Sequence, residues 1–163
     1  MRYLLILIFV TCSIIAFAKK EKLYAVHGAI TQTSSYCGGA APPQEMLERL
    51  SRPQPYANQV YYIGKIGKKK STFQKITSDT LGAFLLQLPV GKYVVFSAEK
   101  MKPFIMPASN KYTKYDAACL RKQYATPDAS FEIKNKNVEV NWNVHHACFY
   151  SLPCTIYRGP MPG

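Results

Sequence analysis

Two turn signals framing an apolar run constrain this chain more than any other feature. Ser78-Asp79-Thr80-Leu81-Gly82 is a turn, with Asp early and Gly where a left-handed residue is needed. Ala83 to Leu88 (AFLLQL) follows as a buried strand. Pro89-Val90-Gly91-Lys92 is the next turn, and Tyr93 to Ala98 (YVVFSA) a second buried strand. A tight turn between two such runs predicts an antiparallel hairpin. Gly91 is the expected pivot, so Gly91→Val is expected to be strongly destabilising.

The rest of the chain repeats this grammar. Leu23 to Gln32 and Gln59 to Ile66 alternate as strands do, with Tyr61 and Tyr62 on opposite faces. Thr72 to Thr77, Ser130 to Ile133, Val138 to Val144 and Ala147 to Tyr150 read as further strands. Thr33 to Pro43 is a loop rich in Ser, Gly and Pro. Pro43 to Arg52 reads as a short helix, with Pro in its first turn and Met46, Leu47 and Leu50 at helical spacing. A second short helix is predicted around Asp116 to Lys122. Short strands joined by turn residues predict an all-β antiparallel Greek-key β-sandwich with a short inserted helix. The chain's 163 residues suit one domain. Its twelve Tyr and eight Phe exclude wholesale disorder, and no heptad or collagen period is present.

The N-terminus gives the compartment. Met1-Arg2 is a short positive start, Tyr3 to Phe17 is almost wholly apolar, and Ala16-Phe17-Ala18 is a cleavage site followed by Lys19-Lys20. Residues 1–18 therefore read as a signal peptide, cut after Ala18, and residues 19–163 as one sandwich domain with an insertion at about 33–55. The run is too short for a span, so no transmembrane segment is expected after cleavage. Periplasm, cell surface or medium are the expected locations. Of five cysteines, Cys12 lies in the leader. Cys37, Cys119, Cys148 and Cys154 remain, an even set that reads as two disulfides in an oxidising compartment. The pairing is open from sequence. Cys37–Cys154 with Cys119–Cys148 is preferred here because it ties the chain ends together.

Asp79, Gly82, Phe84, Leu88, Pro89, Gly91 and Tyr93 match the T-D-x-x-G-x-F-x-x-x-L-P-x-G-x-Y pattern of carboxypeptidase regulatory-like domains, with Ser78 in place of the Thr. The segment thus resembles these transthyretin-like (prealbumin-like) sandwiches, and Gly28 in Ala25 to Thr31 sits at the family's early Gly. Ser35-Tyr36-Cys37-Gly38-Gly39-Ala40, Pro153-Cys154 and Tyr157-Arg158-Gly159-Pro160 are similar to exported proteins of Bacteroidetes-type bacteria. The resemblance implies a non-catalytic folding, adhesion or spacer module. Tyr93, just after the turn, is expected to anchor its hydroxyl on nearby backbone.

Sites of chemistry are sparse. No G-x-S-x-G, H-E-x-x-H or P-loop is present. Ser97-Ala98-Glu99-Lys100 matches S-x-x-K but ends a strand rather than opening a helix. Glu45 and Glu48, one helical turn apart, read as a surface pair. His145, His146, Cys148 and Cys154 are close in sequence, with Cys37, Cys119 and His27 as additions, and their donors suit zinc or copper. On a strand only His146 and Cys148 share a face. The net charge is +12, and Lys65, Lys68, Lys69 and Lys70, with Lys19, Lys20 and Lys22, make basic clusters. Such clusters suit an envelope polyanion, and export argues against nucleic acid. Tyr56, Tyr61, Tyr62, Tyr112 and Tyr115 are candidates for a sugar-binding face.

The expectation is a non-catalytic binding or structural module of the bacterial envelope, without cofactor. It presents the loops Ser34 to Pro43 and Gly64 to Ser71 to a glycan, a polyanion or another envelope protein. The alternative is a periplasmic zinc- or copper-binding protein using His146 and Cys148.

Overall fold

The computed structural model describes residues 21–161. The leader, with the cleavage residues Ala16 and Ala18, lies outside the described residues.

The fold is an all-β sandwich with short helices. One sheet has β4 (Gln74–Thr77), β3 (Val60–Lys65), β6 (Gly91–Ser97) and β8 (Ala129–Ile133) in that order, all antiparallel. The other is built on the long β1 (Leu23–Ser34). Antiparallel to β1 run β5 (Ala83–Pro89) and the two-residue β2 (Gln54–Pro55). Along its remaining length β1 pairs in parallel with β9 (Val138–Glu139) and β10 (Trp142–His146). The parallel pairing departs from a purely antiparallel expectation. A small third sheet joins β7 (Thr113–Tyr115) to β11 (Thr155–Tyr157). Helix α1 spans Gln44–Ser51 and helix α2 spans Ala117–Ala125.

The core follows from alternation. Val26, Ile30, Ile63, Val95 and Ile133 are essentially solvent-free between the two main sheets. Along β5, Phe84, Leu86 and Leu88 point inward while Leu85 is 72% exposed, so this strand is half-buried rather than buried. Trp142 packs against Phe84 and edge-on to Tyr61, closing one flank. Burial raises the pKa of the Tyr61 hydroxyl above the ordinary tyrosine value.

The turn before β5 is built by Asp79. Its Oδ1 accepts the backbone N–H groups of Leu81 and Ala83, both at 2.8 Å. Gly82 sits at φ +74°, and a Cβ there would lie 2.4 Å from the Ile30 carbonyl oxygen. Only glycine meets both demands. Asp79→Ala removes two acceptor contacts in one turn. It is expected to lower unfolding free energy by about 1–2 kcal/mol, read in urea melts.

The second turn differs from expectation: β5 pairs with β1 while β6 pairs with β3 and β8, so the turn carries the chain from one sheet to the other and the predicted antiparallel hairpin is not formed. Gly91 opens β6 at φ +158°, a conformation that residues with a side chain rarely adopt, and a Cβ built there would lie 2.5 Å from Lys65 Cε. Gly91→Val is therefore expected to strain the backbone as well as displace the lysine tip. Tyr93 is buried and its hydroxyl donates to the Pro89 carbonyl at 2.8 Å. Burial, reinforced by the Glu21 carboxylate, holds this hydroxyl above the ordinary tyrosine pKa.

The predicted strand at 147–150 is not formed: Phe149–Ser151 is a 3-10 turn. The predicted strand at 138–144 is broken at Val140 and Asn141 and runs on to His146.

Candidate binding groove

The strands of the sandwich define two ends. One end carries the β3–β4, β5–β6 and β8–β9 turns and the start of β1. The other carries α1, α2 and both disulfides, and its loops hold the candidate site.

The groove begins with the register of β1 on β10. Thr33 lies opposite His145 and Ser34 opposite His146. Side chains reinforce this pairing at intervals along the strand. Asn137 Oδ1 accepts from the Ala25 N–H, and Asn141 Oδ1 from the Ala29 N–H. Asn143 accepts from the Thr31 hydroxyl at 3.0 Å and donates to that of Thr33 at 2.9 Å. His145 ends the series. Its Nδ1 is 3.0 Å from Thr33 Oγ1 and its Nε2 is 2.9 Å from Ser35 Oγ. Either tautomer is satisfied, because each hydroxyl can donate or accept. The imidazole is thereby fixed in orientation.

Register also fixes the first disulfide. With Ser34 beside His146, Cys37 and Cys148 follow their strands by a few residues and meet as a disulfide. The second bridge is Cys119–Cys154, between α2 and the start of β11. The preferred pairing of Cys37 with Cys154 and Cys119 with Cys148 is thus corrected. The parallel β1–β10 pairing, rather than proximity of chain ends, decides which thiols meet.

Helix α1 forms the opposite wall. It starts directly after Pro42-Pro43, with Glu45 in its first turn and the Pro43 carbonyl accepting from Met46 and Leu47. None of its residues is buried, and Leu47 is 41% exposed. Its apolar stripe is only half covered by the sheet. Between this stripe and the β1 edge lies an open groove of about 640 Å³. Pro42, Leu47, Leu50 and Tyr36 give it apolar surface; Ser35, Ser51, Gln44, Glu48 and His145 give it polar groups. No lysine or arginine lines it.

His146 faces the other way, as strand alternation requires. Its ring meets Tyr56 edge-on at 5.4 Å, beside a second hollow of about 560 Å³ that includes Val60, Ser97 and Glu99. Cys148 is bonded to Cys37, so no thiolate stands beside His146. That removes the sulfur ligand of the His146–Cys148 pair. Among the described residues no three His, Cys, Asp or Glu side chains converge.

Other candidates are dispersed. Tyr61 is buried in the core, Tyr56 packs against the core, Tyr62 alternates with Tyr61 on β3, and Tyr112 and Tyr115 lie at β7, so the five tyrosines do not share a face. Lys100 of the S-x-x-K match is ion-paired to Asp128 at 2.6 Å and donates to the Thr126 carbonyl. Glu48 accepts from the Gln44 amide at 3.2 Å. Sequence reasoning missed the asparagines of the β1 edge; their N-x-x-x-N-x-N-x-H spacing is the signal that could have found them.

No family model and no curated protein matches the chain. Solved structures resemble it weakly, among them the following three. A DUF3823 family protein from Parabacteroides merdae aligns at a TM-score of 0.39 and 14% identity, over 76% of this chain and 46% of that one. The major pilin subunit of Bacillus cereus aligns at 0.40 and 15% identity, over 76% of this chain and 28% of its own. The Bacillus anthracis TIE protein aligns at 0.36 and 17% identity, over 76% and 17%. The chain spans less than half the length of each. Similarity this low transfers neither a family nor a function.

Proposed function

We propose that this protein is an exported, non-catalytic binding module of the bacterial envelope, and that its groove takes a neutral glycan. The observation that carries the reading is the composition of that groove. Leucine, proline and tyrosine surfaces alternate with hydroxyl, amide and imidazole groups and the Glu48 carboxylate, and no lysine or arginine is present. Sugar rings offer the matching alternation of C–H faces and hydroxyls. An anionic ligand would find no counter-charge there. Export is supported by the leader-like N-terminus and by the two disulfides. Among the described residues no helix is long and apolar enough to cross a membrane. The resemblance of Asp79 to Tyr93 to carboxypeptidase regulatory-like domains agrees with a module that presents loops.

A hydrolase reading would draw on Ser35 and His145, which have the spacing of a nucleophile and its base. The group behind the imidazole is the neutral Thr33 hydroxyl, where a catalytic triad places a carboxylate. The Ser35 N–H is committed to the His146 carbonyl rather than facing a ligand. Binding is the reading these contacts favour.

The test is calorimetric titration with cello-, xylo- and chito-oligosaccharides. One of these series is expected to bind, and Leu47→Glu to weaken it roughly tenfold or more by charging the apolar wall. Binding that survives Leu47→Glu unchanged, or absence of binding across all three series, overturns the reading.

A further inference from the structure

The end of the sandwich opposite the groove has a different chemistry. Three turns and the start of β1 converge there. Leu23 pairs with Pro89, Gly91 with Ile133, and the Ile66 N–H donates to the Lys92 carbonyl. Lys65 Nζ crosses to the Val90 carbonyl at 3.0 Å. These contacts place three large aliphatic side chains on one end, each about half exposed: Leu23 at 51%, Ile66 at 55% and Val90 at 47%. Each comes from a different turn or strand start. None has a packing role in the core.

Lysines surround them. Lys65, Lys68 and Lys69 flank Ile66 on the β3–β4 connection, and Lys92 follows Val90. Lys134 and Lys136 sit on the neighbouring β8–β9 turn, and Lys22 precedes Leu23. All are exposed. Glu21, Glu132 and Glu139 are the carboxylates at the same end, fewer than the lysines. Lys65 and Lys70 are not counted: their ammonium groups donate to the Val90 and Lys100 carbonyls, and Lys70 also lies over the Phe96 ring.

We propose that this end is a docking surface for an anionic phospholipid bilayer. Lysines supply attraction to lipid phosphates, and the aliphatic tips enter the headgroup layer beneath them. One observation favours a membrane over a soluble acidic polysaccharide. A polysaccharide would use the lysines and leave Leu23, Ile66 and Val90 idle, whereas a bilayer uses both. The groove at the opposite end then faces away from the bilayer.

The test uses the exported protein and sedimentation with phosphatidylcholine vesicles, with and without phosphatidylglycerol. Binding is expected only with phosphatidylglycerol and is expected to fall steeply with salt. Lys68→Gln with Lys69→Gln is expected to weaken it about thirtyfold. Ile66→Ser is expected to weaken it roughly tenfold. All three positions are exposed, and unchanged melting curves separate lost binding from lost fold. Equal binding to both vesicle types overturns the proposal. So does binding to soluble polygalacturonate that needs the lysines but ignores Ile66→Ser, with no vesicle binding. Leu47→Glu should leave vesicle binding intact, so failure here and failure of the glycan reading are separable.

Discussion

Gly28→Val is expected to cost about 3 kcal/mol or more and to leave little folded protein at ambient temperature. Gly28 lies in the middle of β1, where the chain between β9 and β10 crosses closest. The Val140 N–H donates to the His27 carbonyl at 2.9 Å, and Asn141 Oδ1 accepts from the Ala29 N–H at 2.7 Å. Gly28 lies between these two bonds. A Cβ built on it would fall 1.9 Å from the Val140 carbonyl oxygen and 2.7 Å from its carbon. Both obstacles are backbone, so no rotamer change relieves them. β1 would have to part from β9 and β10, exposing Val26 and Ile30 and undoing the register that positions His145. Gly28→Ala should show a smaller loss of the same kind. Urea unfolding measures both. A Gly28→Val protein within about 1 kcal/mol of the parent would mean that this crossing is misplaced.

Removing the Cys37–Cys148 bridge is the second large effect. The bond closes a loop with a sequence separation of 111, and chain-entropy arguments assign such a closure roughly 4–5 kcal/mol. Cys37→Ser with Cys148→Ser should lower the melting temperature sharply and release the Tyr36 wall of the groove, so glycan binding should fall as well. The Cys119–Cys154 bridge spans a separation of 35 and ties α2 to β11, away from the groove. Its removal should cost less and spare binding. Peptide mapping without reduction reads the connectivity. Peptides linking Cys37 to Cys154 would contradict the parallel β1–β10 register itself.

How far the fold could be read from sequence depended on how local each signal is. The pairing of β5 and β6 is not legible, since each bonds to a distant strand of a different sheet. The strands themselves are legible because their turn chemistry and alternation lie within one short segment. The same holds for α1 and α2, whose starts are marked by Pro43 and by Asp116, the latter accepting from the Cys119 N–H. The β2 strand has two residues, and β7 and β11 have three each, too few to carry a period. The pairing of β1 with β10 joins residues 112 apart, for which no local pattern exists. Everything dependent on that pairing was hidden with it: the disulfide connectivity, the asparagines of the β1 edge and the fixed ring of His145. Alternation did place His145 and His146 on opposite faces. It could not show that Cys148, apparently on the His146 face, leaves the strand to bond Cys37.

The two ends also differ in what sequence showed. Lys65, Lys68 and Lys69 are visible as a charged run. Their company with Lys92, Lys134 and Lys136 required the three turns to be brought together. Leu23, Ile66 and Val90 read singly as unremarkable aliphatic residues in turns or at a strand start, and acquire meaning only as a cluster.

The groove between α1 and the β1–β10 edge is the proposed binding site. An amide NMR titration of the oxidised protein with whichever oligosaccharide series binds tests it most directly. The account predicts shifts at Thr33, Ser35, Tyr36, Leu47, Leu50 and His145, with the lysine-rich end unmoved. Shifts confined to Lys65 to Lys69 and the β8–β9 turn would contradict it and make the basic end the glycan site.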